Sequence, residues 1–144
     1  MRISCTRKIH FCSGHRVFKH ESKCATMHGH NYNAFITAEA DSLDGIGRVI
    51  DFSVLKEKIG GWIDEFWDHN FLAFKDDTEV VELLYKAPRK KEPYICGFNP
   101  TAENMAEFLL NAVCPLVLKG TNVTVTKIVL WETDNCFAEA SLCM

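Results

Sequence analysis

Two pairs of predicted strands, one near each end of the chain, constrain the fold more than any other feature. Residues 4–11 and 28–40 form the first pair, and residues 123–132 and 137–142 form the second. Side chains alternate along residues 4–11, as is typical of a strand with one buried face. Strands that follow each other directly pair as antiparallel hairpins, so we expect a four-stranded antiparallel sheet.

The segment between the two pairs is predicted to be helical. A helix beginning near Ser53 places apolar residues at a 3.6-residue period, although Gly60 and Gly61 weaken it by about 1 kcal/mol each. A short helix is expected within residues 76–86, and Asn99-Pro100-Thr101 is a helix-start signal. We therefore expect a single α+β domain over residues 1–144, in the order ββααββ, with the helices on one face of the sheet.

The composition argues against several classes of protein. The net charge of −3 gives no electrostatic reason to expect nucleic-acid binding. The most apolar segment, residues 108–118, is too short to span a membrane. The seven cysteines are odd in number and irregularly spaced, and the first eight residues lack the apolar core of a signal peptide. We expect reduced thiols and a cytoplasmic location.

Histidines near the first strand pair predict a metal site. His28 and His30 are two residues apart in a predicted strand, so both imidazoles project from the same face. His15 lies on the preceding segment, and three imidazoles with an open fourth position are typical of catalytic zinc. The alternative is three unrelated, partly buried histidines. His10 and His20 lack a same-face partner and are interpreted as non-ligands.

Other residues suggest acid–base chemistry or ligand binding. Cys24 precedes His28 by four residues, so it could close a Cys-His₃ structural site or act as a reactive thiolate beside the metal. Asp68 and His69 can couple only if the helix ends there or a third group mediates, and a helix C-cap is the alternative. Glu132, at the end of an apolar strand, would form a salt bridge or accept a guanidine-like ligand edge.

Taken together, these residues resemble the 6-pyruvoyl-tetrahydropterin synthase family over nearly the whole chain. The resemblance rests on six ordered segments: 11–16 (FCSGHR), 24–32 (CATMHGHNY), 47–52 (GRVIDF), 67–72 (WDHNFL), 99–104 (NPTAEN) and 131–133 (WET). It implies the T-fold, in which subunits associate through their sheets into a barrel, commonly as a hexamer built from two trimers. Open sheet edges favour such association independently.

The resemblance also implies a role for each site residue. His15, His28 and His30 would bind zinc, and Cys24 would be the catalytic base or acid. Asp68 and His69 would form a proton relay supplied by a neighbouring subunit. Glu132 would anchor the pterin ring, and Thr101 and Glu103 would line the pocket. Arg16 and Lys23 are candidates for binding triphosphate, by proximity only.

The spacing before the histidine pair separates activities within the family. Three residues lie between Cys24 and His28, as in the bacterial 6-carboxy-tetrahydropterin synthases, whereas the animal-type pyruvoyl enzymes usually have five. The resemblance therefore implies conversion of 7,8-dihydroneopterin triphosphate to 6-carboxytetrahydropterin, acetaldehyde and triphosphate, in queuosine biosynthesis. The alternatives are a 6-pyruvoyl-tetrahydropterin synthase and a zinc- or pterin-binding protein without turnover.

Overall fold

The computed structural model describes residues 1–143, and its strands form one sheet. The strands are β1 (Ser4–His15), β2 (His28–Ala40), β3 (Asn70–Phe74), β4 (Tyr94–Cys96), β5 (Val123–Thr133) and β6 (Cys136–Ser141). Their order across the sheet is β4-β3-β1-β2-β5-β6. The pairs β1–β2, β2–β5 and β5–β6 are antiparallel, whereas β1–β3 and β3–β4 are parallel.

The expected four-stranded antiparallel sheet is wrong, because the sheet has six strands and is mixed. The four predicted strands are present, and β1 extends four residues further than expected, to His15. The two strands that sequence analysis missed are short, with five residues in β3 and three in β4. Segments of that length carry too little periodicity to be recognised, and parallel pairing depends on distant parts of the chain.

Three helical regions accompany the sheet. Helix α1 (Phe52–Leu55) continues through a π-helical turn (Lys56–Gly60) into α2 (Gly61–Phe66). Helix α3 (Thr78–Lys86) follows β3. Helix α4 (Ala102–Phe108) continues through a second π-helical turn (Leu109–Val113) into α5 (Cys114–Val117). The Thr101 hydroxyl accepts a hydrogen bond from the backbone N–H of Asn104, 3.2 Å away, which confirms the predicted helix start.

One face of the sheet is buried and the other is exposed. Along β1, Ile9 and Phe11 are buried while Lys8 and His10 are exposed, as the alternation predicts. Phe11 lies opposite Tyr32 of β2, and their rings stack at 4.9 Å between centroids. The same buried face continues past this pair to Ser13 and His15, so the core leads directly to the predicted metal ligands. No helix within residues 1–143 is both long and apolar enough to span a membrane.

The adjacent glycines at the junction of the π-helical turn and α2 have different surroundings. Gly60 is buried, and a Cβ there would lie 3.8 Å from the side chain of Ile9, an ordinary contact distance. Gly61 has helical dihedral angles, with φ −61° and ψ −42°, and a Cβ would meet no atom within 4 Å. Neither glycine is needed for close backbone approach, and Gly61 weakens the helix without a compensating contact.

We expect Gly61→Ala to stabilise the protein. The added methyl group enters open space, so unfolding free energy should rise by about 0.5–1 kcal/mol through reduced freedom of the unfolded chain. Chemical denaturation measures the change. Gly120→Ala is the control, because Gly120 has φ +88° and alanine there should destabilise. A neutral or destabilising Gly61→Ala would contradict the prediction.

Candidate metal and catalytic site

The register of β1 and β2 brings three imidazoles together. His15 lies directly opposite His28, and His30 lies two residues further along the same face of β2. The ring centroids are 4.7 Å apart for His15 and His28, 5.1 Å for His15 and His30, and 4.8 Å for His28 and His30. One potential ligand atom from each ring lies within 4.8 Å of the other two.

Backbone carbonyls orient two of the three rings. His15 Nδ1 donates to the carbonyl of Pro100 at 2.7 Å, and His28 Nδ1 donates to the carbonyl of Thr26 at 2.6 Å. With Nδ1 carrying the proton, Nε2 of each ring keeps its lone pair for a metal. Hydrogen bonds of this kind fix the tautomer and direction of metal-binding histidines.

Burial favours the neutral form of His15 and His30, the form that metal coordination requires. The His15 side chain is 1% exposed, and this burial lowers its pKa to about 4. Burial and the neighbouring His28 also lower the pKa of His30. Nε2 of His30 is buried and has no hydrogen-bond partner among residues 1–143. A buried, unpaired lone pair beside two oriented imidazoles fits a divalent transition metal.

Glu132, on β5, lies beside this triad. Its Oε1 is 3.4 Å from His30 Nε2 and its Oε2 is 4.0 Å from His15 Nε2. Since burial favours neutral rings at His15 and His30, these contacts are close approaches rather than ion pairs, in agreement with the missing hydrogen bond at His30 Nε2. Burial raises the pKa of Glu132; His28 opposes this rise and Glu103 adds to it. Glu132 has no hydrogen bond within residues 1–143, so its oxygens are available to a ligand.

Asp68 and His69 form a hydrogen-bonded pair. Helix α2 ends at Phe66, and His69 takes a left-handed conformation with φ 54°, so the two adjacent side chains meet. His69 Nδ1 donates to Asp68 Oδ2 at 2.7 Å, which confirms that the pair couples because the helix ends there. Asp68 Oδ1 accepts from the backbone N–H of Cys12 at 2.8 Å. Burial raises the pKa of Asp68, but Cys12, His69 and Lys91 outweigh it and lower that pKa.

Strand β3 places this pair beside the triad. Ser13 of β1 lies opposite Asn70 of β3, and the backbone N–H of His69 donates to the carbonyl of Cys12 at 2.7 Å. A cleft of 1230 Å³ lies here, and its lining includes His28, His30, His69 and Glu132. One chain therefore supplies His28, His30 and His69 to one cleft. The supply of Asp68 and His69 by a neighbouring subunit stays a prediction.

Five predicted site residues do not line this cleft: His15, Cys24, Asp68, Thr101 and Glu103. Cys24 occupies a short 3₁₀ turn, and its thiol is not part of the ligand group, which consists of three imidazoles. Thr101 uses its hydroxyl to cap α4. Glu103 does not line the cleft either, but its charge acts on Glu132. Their roles in catalysis or binding stay predictions.

The cleft also contains residues that sequence reasoning missed. Arg89, Lys90 and Lys91 line it, although the basic run between Pro88 and Pro93 resembles an ordinary solvated loop. Arg16, a candidate for binding triphosphate, instead forms a bidentate ion pair with Asp77, with both distances 2.6 Å. The basic run itself is visible in the sequence, but its position in the cleft depends on tertiary contacts.

Comparisons with known proteins agree with this fold. A family model described as 6-pyruvoyl tetrahydropterin synthase matches residues 4–142. A Rickettsia conorii protein named 6-carboxy-5,6,7,8-tetrahydropterin synthase is 41% identical over 137 residues, covering 95% of this chain and 99% of that protein. Two solved structures share the fold at lower identity. An uncharacterized protein from Wolinella succinogenes has TM-score 0.82 and 23% identity, and covers 98% of both chains. The Caenorhabditis elegans 6-pyruvoyl tetrahydropterin synthase has TM-score 0.69 and 20% identity, and covers 99% of this chain and 97% of that one.

We expect Arg16→Ala to destabilise the fold. The Asp77 side chain is 3% exposed, so removal of Arg16 leaves a buried carboxylate unpaired, at a cost of about 2 kcal/mol or more. Urea denaturation measures the loss. Arg2→Ala is the matched control, because Arg2 forms a similar bidentate pair with Glu39 while its own side chain is 62% exposed. Equal losses in the two variants would contradict the prediction.

Proposed function

Because the chain belongs to the 6-pyruvoyl tetrahydropterin synthase family, we propose that it is a zinc-dependent 6-carboxy-5,6,7,8-tetrahydropterin synthase. Its substrates would be 7,8-dihydroneopterin triphosphate and one water molecule, and its products 6-carboxytetrahydropterin, acetaldehyde and triphosphate. The observation that carries the proposal is the single cleft lined by His28, His30, His69 and Glu132. The name of the 41% identical relative favours the carboxy product over the pyruvoyl product.

The metal in this proposal is zinc, held by His15, His28 and His30. Three neutral imidazoles favour Zn²⁺ over Ca²⁺ or Mg²⁺, which prefer oxygen ligands. Bound there, Zn²⁺ supplies Lewis-acid polarisation of the oxygens on the substrate side chain, which acidifies the adjacent C–H bond.

Glu132 orients the pterin ring in the proposed complex. The guanidine-like edge of the ring presents two N–H donors, which match the two oxygens of one carboxylate. Glu132 has no hydrogen bond within residues 1–143, and its side chain is 22% exposed, so both oxygens can accept. Glu132 Oε1 lies 3.4 Å from His30 Nε2, so a ring bound to this carboxylate would lie beside the triad.

Asp68 and His69 transfer a proton in the proposed reaction. Asp68 holds the proton on Nδ1 of His69, which leaves Nε2 of that ring to take up or release a proton. Asp68 is itself fixed by the backbone of Cys12, so the imidazole has a defined direction. The His69 side chain is 78% exposed and can reach a bound ligand.

Cys24 is the second acid or base in the proposal, on the strength of the family resemblance. Cys24 does not line the cleft and is not part of the three-imidazole group, so the resemblance alone supports this role. Thr101 and Glu103 would support the pocket from α4. We also propose a homo-oligomer, a hexamer of two trimers with sites at subunit interfaces, supported by the open edges at β4 and β6. The cytoplasmic location stays a prediction.

Replacement of one triad member should remove zinc. We expect dialysed wild-type protein to retain about one zinc ion per chain, and His30→Ala to retain almost none, because two imidazoles hold zinc weakly. Elemental analysis by mass spectrometry measures the content. The matched control is His10→Ala on β1, because His10 is exposed and bonds to Asn33 instead. Retention of zinc by His30→Ala would exclude this triad as the site.

Product analysis tests the activity. Zinc-loaded protein incubated with 7,8-dihydroneopterin triphosphate should release acetaldehyde and a carboxypterin, identified by mass. A pyruvoyl pterin would instead support the alternative, a 6-pyruvoyl-tetrahydropterin synthase. Absence of turnover in protein that retains zinc would refute the enzyme proposal.

Two variants test the proton-transfer roles in the same assay. Asp68→Asn should lower kcat by about 10²-fold or more, because His69 loses its orienting acceptor. Asp64→Asn on α2 is the matched control and should keep full activity. Cys24→Ala should abolish turnover while zinc is retained, and loss of zinc would identify Cys24 as a ligand.

A further inference from the structure

We infer that the basic loop 88–93 forms a polyphosphate-binding end of the cleft, with Lys90 and Arg89 as the binding cations. This inference rests on the proposed function, because it assigns the triphosphate of that substrate to specific residues. Arg89, Lys90 and Lys91 line the same cleft as His28 and Glu132. A cation cluster on the wall of a cleft attracts and positions a highly charged anion.

The loop is held in place by hydrogen bonds to the turn that carries Asp68 and His69. Lys91 Nζ donates to the carbonyls of Asp64 and Asp68, at 2.8 and 2.7 Å. The side-chain amide of Asn70 donates to the carbonyl of Glu92 at 2.9 Å. These contacts fix the loop at two points on one side of the cleft, so its cations have a defined position relative to the acid–base pair.

Lys90 is the cation left available by this anchoring. Its neighbour Lys91 is committed to backbone carbonyls, whereas Lys90 is exposed and has no hydrogen bond or ion pair within residues 1–143. Arg89 donates one N–H group to the carbonyl of Tyr85 at 2.8 Å and contacts Glu92 at 3.5 Å. That contact is long and solvent-exposed, so a phosphate group can replace it, and further N–H groups of the guanidinium remain.

The charges along the cleft match the two ends of the proposed substrate. Glu132 and Asp134 line the cleft together with the imidazoles, and they suit the hydrogen-bond donors of a pterin ring. Loop 88–93 supplies three cations against one acidic residue, Glu92. This arrangement orients the ring towards Glu132 and the triphosphate towards Lys90. Arg16 does not line the cleft, and its guanidinium is paired with the buried Asp77.

Binding of inorganic triphosphate tests the inference directly. Isothermal titration calorimetry compares wild type with Lys90→Glu, Arg89→Ala and the charge-matched control Lys119→Glu. Lys119 is exposed, follows α5 and does not line the cleft. Loss of a charge-assisted contact should weaken binding about tenfold or more in Lys90→Glu and about tenfold in Arg89→Ala. Lys119→Glu should change it less than about twofold, because it alters only the net charge. Metal-free protein is titrated as well, since triphosphate can chelate zinc.

The outcomes separate this inference from the proposed function. Weaker triphosphate binding in Lys90→Glu, with or without zinc, supports the inference even if no pterin product forms. If wild-type protein forms product but Lys90→Glu and Arg89→Ala leave both the triphosphate affinity and KM unchanged, the inference is overturned and the enzyme proposal stands. Absence of triphosphate binding in the wild type, or an equal loss in Lys119→Glu, overturns it as well.

Discussion

The antiparallel register of β1 and β2 is the constraint on which the rest of the structure depends. It sets Phe11 against Tyr32 in the core and His15 against His28 at the end of the same buried face. A slip of one residue would turn every side chain of one strand to the opposite face, removing the aromatic pair and the triad together. The packing that stabilises the sheet therefore also sets the geometry of the candidate metal site.

A second pairing assembles the cleft, and sequence reasoning did not find it. The His-Gly-His spacing was enough to predict that His28 and His30 share one face, because strand periodicity is a local property, and His15 joins them through the pairing of β1 with β2. The approach of Asp68 and His69 depends on the parallel pairing of β1 with β3, between residues such as Ser13 and Asn70 that are distant in sequence. A five-residue strand directly after a helix has no distinctive pattern of its own.

The position of the basic loop 88–93 could not be predicted from the sequence either. Residues between Pro88 and Pro93 are polar and charged, as in most exposed loops, and no spacing marks them as part of a site. Their position follows from contacts of Lys91 with the end of α2 and of Asn70 with Glu92. Conversely, Arg16 looked available in the sequence, but the fold pairs it with the buried Asp77. Whether a charged residue is free to bind a ligand is decided by its tertiary partners.

The left-handed backbone conformation of His69 sets folding stability against the proposed activity. A non-glycine residue at φ 54° carries a conformational penalty of about 1 kcal/mol, which glycine would avoid and asparagine would reduce. Selection for thermal stability alone would favour glycine or asparagine at this position. Replacement of His69 by glycine or asparagine would reduce this backbone penalty, but it would also remove the imidazole from the cleft. At this position, generic stabilisation would conflict directly with the proposed activity.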